Sequence, residues 1–355
     1  MGLPDDIELA ASGSGRVPIE VDCGRLDPSA AARVRDWATQ MWAATSGPLL
    51  EETGHEVPSI RVLVAEDVWA AARREAAALG LGPDRREGPE RVGGVVAGKC
   101  LRSDDDRHAT VVVPETIMAG NDGIAQCHAA AILAHELCHA VYAVRRRHAM
   151  GATEDVWLPW DVAGMISVVA AEEYRVDRLA LILTQALLNP TDVNGTSIPL
   201  ASVFGSLYFE GLSNALHEVS PGLDESVWSY RTRAMDLDAL RQRLTRVTEG
   251  IANYIAHVEA YFEDKDPAMT LIEGRAVDLL EPFWAPWIDH LRSAPLLPGP
   301  NEWAADRAAL WGIGSTGIQE AWRRLGITTR PEGGGFYMAV DDPARAHPGE
   351  RRRRS

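Results

Sequence analysis

Short runs in which hydrophobic and polar residues alternate lie in the first third of the chain, and helical spacing dominates the rest. The run at 59–65 alternates and is β-branched and predicts a strand, and the run at 17–21 predicts a short strand. Two further runs at 92–100 and 108–114 flank a polar turn and predict a β-hairpin. Hydrophobic residues three and four positions apart predict helices at 28–45, 68–79, 123–148, 162–188, 236–262 and 273–291. The elements follow the order of a small sheet and then mainly helices.

Two of the predicted helices are long and consecutive. The helix at 123–148 has no Pro, and no Gly after its first residue. The helix at 162–188 follows Asp161, a residue type that caps helices, and stops at Asn189-Pro190. A sheet followed by two such helices predicts an α+β fold with a catalytic unit in its first half.

This order also predicts how the chain divides into domains. We expect a flexible N-terminus at 1–16, a first domain at 17–190, a helical domain at 191–335 and a tail at 336–355. In the helical half, Trp284 and Trp287 are three residues apart and predict one buried helical face.

Composition and charge narrow the class of protein. The 355 residues are 46% hydrophobic, which is enough to build a core without disulfides, and the four cysteines form no CxxC pair. A net charge of −16 argues against a nucleic-acid partner, and the basic run at 351–354 is typical of a solvated tail. The N-terminus lacks the pattern of a secretory signal, and acidic residues interrupt the most apolar segments. We therefore predict a cytoplasmic protein without a membrane partner.

The helix at 123–148 contains the motif His135-Glu136-Leu137-Cys138-His139. Residues four apart share a helical face, so both imidazoles can reach one metal ion at about 2.0 Å. Glu136 lies about 100° further round the helix and can reach a water molecule at the ion instead of the ion itself. The spacing supplies two ligands and a general base, although two ordinary surface or packed histidines would give the same pattern.

A third ligand is expected on the helix at 162–188. The metzincin arrangement needs a histidine where this chain has Arg145, so a carboxylate is the alternative. Glu173 is the better candidate, because Asp177 follows it four residues later on the same face. Asp177 is then expected to accept a hydrogen bond from a ligand imidazole, that of His135. Glu172 remains a rival ligand.

These residues resemble those of a known family. HELCH followed by the helix EEYRVDRLALILTQALLNP is similar to the two active-site helices of gluzincin zinc metallopeptidases, and its second helix resembles the ImmA/IrrE-like branch. The resemblance covers about 108–190 and implies a zincin-like catalytic unit. It also implies Glu173 as a zinc ligand, Asp177 as the hydrogen-bonding partner and Leu179-Ala180 as a packing pair.

The sequence thus predicts a zinc-dependent hydrolase that cleaves a peptide or protein amide bond. Glu136 would take a proton from the attacking water and pass it to the leaving amine. The run at 92–100 or the run at 108–114, if it lies at the sheet edge, could pair with an extended peptide. Two alternatives are a non-catalytic zinc-bearing sensor or interaction module, and a helical scaffold in which the motif is a coincidence.

Several other side chains near the motif have two interpretations. Cys138 and His128 are expected to be packing residues rather than ligands. Trp157 and Trp160 lie between the two helices, where they would either cover a cleft or pack in the core. Three residues are candidates for stabilising an oxyanion, namely Tyr142, Tyr174 and His148.

Overall fold

The computed structural model confirms an α+β fold with a small mixed sheet and many helices. It describes residues 19–53, 57–81, 90–91, 94–95, 98–103, 105, 107–150, 161–188, 200–262, 275–332 and 335–340. The strands are β1 (Ile19–Asp22), β2 (Ser59–Ala65), β3 (Glu90–Arg91), β4 (Gly94–Val95), β5 (Lys99–Arg102), β6 (His108–Pro114), β7 (Ile327–Glu332) and β8 (Gly335–Val340). The helices are α1 (Pro28–Thr53), α2 (Val68–Ala78), α3 (Glu115–Met118), α4 (Gly123–Met150), α5 (Val162–Leu188), α6 (Leu200–Arg231), α7 (Leu237–Tyr261), α8 (Arg275–Ser293) and α9 (Pro300–Arg324).

The main sheet has four strands in the order β1-β2-β6-β5. The first three are parallel, with Val62 opposite Val111, and β5 runs antiparallel to β6, with Cys100 opposite Val111. In β6 the residues from Ala109 to Val113 are all buried, as expected for an inner strand covered on both faces. The strand at 108–114 is therefore internal, and β5 is an edge.

The predicted hairpin exists, but its first strand begins later than predicted. Within the described part of this run, Lys99–Arg102 pairs with β6, whereas Gly94–Val95 pairs with Glu90–Arg91 in a separate two-stranded sheet. The run at 92–100 contains three glycines, which weaken a continuous strand because they offer no side chain to pack.

The chain divides into two compact units. The first comprises 1–89, 96–151 and 178–200, and the second comprises 90–95, 152–177 and 201–355. The boundary after residue 177 falls inside α5, which is one continuous helix. Each unit therefore consists of several separate segments of the chain. The sequence predicts a single domain boundary at residue 190, and this boundary stays a prediction.

The first unit contains the four-stranded sheet and α4. Met41 and Trp42 of α1 and Leu133 and Leu137 of α4 are at most 1% exposed, so both helices bury apolar faces. By length and hydropathy, α4 contains a window that would be able to cross a membrane, although the sequence predicts no membrane span. Of that window, 78% is buried inside the structure, as in the core helix of a globular domain.

The second unit is built around α7. Every residue from Ile251 to Tyr261 is buried, so this half of the helix is surrounded on all sides. Asp236 caps its N-terminus by accepting a hydrogen bond from the Ala239 amide at 2.8 Å. Trp284 and Trp287 of α8 are buried as predicted.

Two predictions about elements differ from the structure. The helix predicted to end at Thr45 continues to Thr53 as α1. Residues 336–340, which lie in the predicted tail at 336–355, belong to β8, which pairs antiparallel with β7. The two helices that carry the motif residues are close to their predicted bounds, with α4 ending at Met150 and α5 at Leu188.

Candidate metal centre

The side chains of the two motif histidines on α4 lie next to each other. The Nε2 atoms of His135 and His139 are 3.1 Å apart, and their rings meet edge to face at 83°. Two nitrogens bound at about 2.0 Å to one tetrahedral zinc ion lie roughly 3.3 Å apart. The observed separation therefore suits two ligands of one ion, and both side chains keep partial exposure.

The buried face of α4 holds these imidazoles in place. Ala134, Leu137 and Cys138 are completely buried, so the helix has little freedom to rotate about its axis. Cys138 is thus a packed residue, as the sequence predicts. This packing fixes which face of α4 carries the histidines.

Glu136 is buried, with 6% exposure, and a glycine lies against its side chain. A Cβ atom placed on Gly98 would be 2.8 Å from Glu136 Oε1 and 3.1 Å from its Cδ. The carboxylate therefore occupies space that only a residue without a side chain leaves open. Gly98 directly precedes the edge strand β5, so the carboxylate lies close to the start of that strand.

The predicted third ligand belongs to the same group of side chains. His135, His139 and Glu173 offer ligand atoms that all lie within 4.8 Å of one another and could hold a metal ion. Glu173 is 7% exposed. Among the residues that the structure describes, the rival Glu172 is not a member of this group.

Asp177 lies in a buried polar network that the sequence did not predict. His257 Nδ1 is 2.5 Å from Asp177 Oδ2, and the Tyr261 hydroxyl donates to Asp177 Oδ1 at 3.3 Å. Asp177 is completely buried, so these contacts stabilise a carboxylate that water does not reach. The predicted bond from Asp177 to His135 stays a prediction.

Aromatic packing completes the network around His257. The Tyr208 ring stacks on His257 with 4.5 Å between centroids and on Tyr261 with 5.5 Å. Burial is the main cause that raises the pKa of Tyr261 well above its ordinary value, and the charge of Asp177 raises it further. The Tyr261 hydroxyl therefore keeps its proton and remains a donor to Asp177.

His257 also approaches the candidate ligand. Its Nε2 atom is 3.9 Å from Glu173 Oε2, and the two side chains are 4% and 10% exposed. One imidazole thus stands between two carboxylates that lie one turn apart on α5. No local sequence signal marks His257, because it is 80 residues from Asp177 and belongs to no motif.

The other side chains that the sequence singles out near the motif are mostly packed residues. Burial lowers the pKa of His128, which favours a neutral, packed imidazole. Tyr174 is buried, with its ring edge to face against Trp287 at 6.3 Å. Tyr142 is buried and His148 is partly exposed near the end of α4. Trp157 and Trp160 lie outside the described residues.

Comparison with protein-family models, curated proteins and solved structures finds no match to this chain. The case for a metal centre therefore depends on the donor set. Two imidazoles and one carboxylate are the ligands of many catalytic zinc sites, which leave one position open to water or substrate. The three residues present fit a zinc ion on chemical grounds.

Proposed function

We propose that this protein is a zinc-dependent hydrolase, specifically a metallopeptidase that cleaves a peptide or protein amide bond. The observation that carries the proposal is the group formed by His135, His139 and Glu173, whose ligand atoms lie within 4.8 Å of one another. The resemblance of HELCH and the α5 sequence to gluzincins supports the same conclusion, and the small mixed sheet is compatible with a zincin-like fold.

His135, His139 and Glu173 would hold the zinc ion. When bound, such an ion lowers the pKa of water toward about 7 and polarises a substrate carbonyl. Three protein ligands are the number found in catalytic zinc sites, whereas structural sites have four. The three donors found among the described residues therefore favour a catalytic site over a structural one.

Glu136 would act as the general base. Glu136 is not one of the three candidate metal ligands, and its carboxylate is buried against Gly98. A buried carboxylate with a fixed position can accept a proton from the attacking water and deliver it to the leaving amine. A site that only binds zinc has no need of a base at this position, which argues against a sensor module.

The substrate would bind in extended form along β5. Among the described strands, β5 and β1 are the edges of the main sheet, and β5 begins beside the Glu136 carboxylate. A peptide can add to such an edge through main-chain hydrogen bonds. The inner strand β6 cannot offer this surface, because β2 and β5 already occupy both of its sides.

The test combines metal analysis with peptide cleavage. We expect wild-type protein purified from zinc-replete medium to contain about one zinc per chain and to cleave peptides from an unbiased library. Glu136→Gln should retain the zinc and lose at least about 100-fold in kcat, because general-base catalysis contributes that much.

The outcomes separate the alternatives. A protein without zinc would favour a helical scaffold in which the motif is a coincidence. Zinc without cleavage, or equal cleavage by the wild type and Glu136→Gln, would exclude the peptidase and favour a zinc-bearing interaction module.

A further inference from the structure

The imidazole of His257 is fixed on several sides by buried groups. Its Nδ1–H group donates a hydrogen bond to Asp177, Tyr208 stacks on one face of its ring, and Tyr261 contacts both Asp177 and Tyr208. His257 lies in the half of α7 that is buried on every face. A rotation of this ring would disturb all of these contacts together, so its orientation is strongly determined.

The Nε2 edge of this fixed ring is directed at Glu173. The distance of 3.9 Å between His257 Nε2 and Glu173 Oε2 is too long for a direct hydrogen bond, but it is short for two groups of low exposure. Buried side chains are closely packed, so neither group has free space to move into. His257 therefore restricts the positions that the Glu173 carboxylate can adopt.

We propose that His257 is a positioning residue for Glu173, and this inference rests on the proposed metal site. Asp177, Tyr208 and Tyr261 fix the imidazole, and the imidazole would in turn orient the carboxylate toward an ion held by His135, His139 and Glu173. Groups that orient metal ligands typically affect affinity by about 10- to 100-fold. Through this network, helix α7 determines the geometry of a ligand on α5.

The test measures zinc affinity by competition with a chelator of known affinity. We expect His257→Phe, which keeps a ring against Tyr208 and removes both nitrogens, to weaken zinc binding about 10- to 100-fold. The matched control is His290→Phe, which removes another imidazole paired with a carboxylate, that of Asp306 at 2.9 Å, in the same unit. This control should bind zinc with wild-type affinity.

Two further measurements separate positioning from a loss of fold. His257→Phe leaves the Asp177 carboxylate buried without the imidazole, so the double variant His257→Phe/Asp177→Asn removes that charge and serves if the single variant does not fold, with Asp177→Asn alone as its reference. Cobalt substitution provides a spectroscopic measure, since the visible spectrum reports ligand geometry. We expect the spectrum of either His257 variant to differ from that of the wild type.

The result has a clear interpretation in each case. Wild-type affinity in a folded His257 variant, a weakening shared by His290→Phe, or an unchanged cobalt spectrum would overturn the positioning role and leave the proposed hydrolase intact. A wild type that binds no zinc would overturn both. Loss of affinity with the cobalt shift would support the inference even if no peptide substrate were cleaved.

Discussion

Gly98 and Glu136 show how one missing side chain determines where a carboxylate lies. The added Cβ of an alanine at position 98 would approach Glu136 Cγ to 2.9 Å and Oε1 to 2.8 Å. Real Cβ atoms do not come this close, so the carboxylate would have to move. Catalysis is sensitive to such shifts, because a general base must stay within hydrogen-bonding distance of the proton that it accepts.

We expect Gly98→Ala to lower kcat of the proposed peptidase by about 10- to 100-fold, since a displacement near 1 Å can cost that much. Zinc content should remain that of the wild type, because His135, His139 and Glu173 are not in this contact. Steady-state kinetics with metal analysis checks both. The control is Gly123→Ala on α4, where an added Cβ meets nothing within 4 Å. Unchanged kcat in Gly98→Ala would contradict a catalytic role for the Glu136 carboxylate position.

The sequence predicts site residues only where their spacing is local. His135, Glu136 and His139 are recognisable because a helical turn brings neighbours in the chain onto one face. Glu173 and Asp177 follow the same rule on α5. His257 obeys no such rule with respect to Glu173, because its position depends on the packing of α7 around residues far away in the sequence.

Helices α8 and α9 approach each other closely at Gly317. A Cβ at this position would lie 2.5 Å from the Phe283 Cα and 2.7 Å from the Pro282 carbonyl oxygen. Both atoms belong to the backbone of α8, so no side chain can rotate away to make room. The absence of a side chain at Gly317 is therefore a condition for this helix pair.

We expect Gly317→Ala to lower the free energy of unfolding by about 1–3 kcal/mol, the usual cost of overpacking. Gly312→Ala on the same helix is the matched control, because nothing lies within 4 Å of its added Cβ. The free energy of unfolding of Gly312→Ala should rise by about 0.5–1 kcal/mol, because alanine has a better helix propensity than glycine. Urea denaturation of both variants measures the difference, and equal stability would mean that α8 shifts without cost.

At the scale of elements, the sequence predicts the long helices α4, α5 and α7 well, gives no bounds for α6 and α9, and predicts short strands poorly. The bounds of α4 and α5 follow from many hydrophobic positions and from stop signals such as Asn189-Pro190. Strand β8 was missed because its Gly-rich start is typical of a loop, and its pairing with β7 depends on tertiary structure. The short strand β5 was predicted too early for the same reason.

In the second unit, a buried ion pair connects helices that are distant in sequence. Arg175 is 1% exposed and donates two hydrogen bonds to Asp306, at 2.7 and 2.8 Å, while His290 contacts the same carboxylate at 2.9 Å. Burial raises the pKa of Asp306, but the bonds and charges of Arg175 and His290 outweigh it, so the pKa is lowered overall. Asp306 thus stabilises the fold in its ionised form.

The sign of this effect gives a pH-dependent prediction for the stability of the whole molecule. Because the folded pKa of Asp306 is lowered, its stabilisation is fully present above the unfolded value of about 3.9 and is lost as pH falls through the folded value. We expect Asp306→Asn to cost about 3–5 kcal/mol at neutral pH, since it removes one charge of a buried pair.

Denaturation curves at a series of pH values check this prediction. The difference between Asp306→Asn and the wild type should shrink in acid, as the wild-type carboxylate becomes protonated. The control Asp238→Asn removes a surface ion pair whose acidic side chain is 80% exposed, and it should cost less than about 1 kcal/mol at any pH. A difference for Asp306→Asn that does not change with pH would mean that its ionisation does not contribute.

The continuity of α5 has a consequence for how the protein is made. The partners of its buried polar residues are translated much later, since Arg175 and Asp306 are 131 residues apart and Ser167 bonds to a carbonyl 143 residues downstream. At about 5–20 residues per second, a ribosome needs roughly 7–26 s to cover the first of these intervals. During that time the nascent helix exposes surface that the finished protein hides. Chaperone binding to the growing chain should therefore be strongest before α9 emerges.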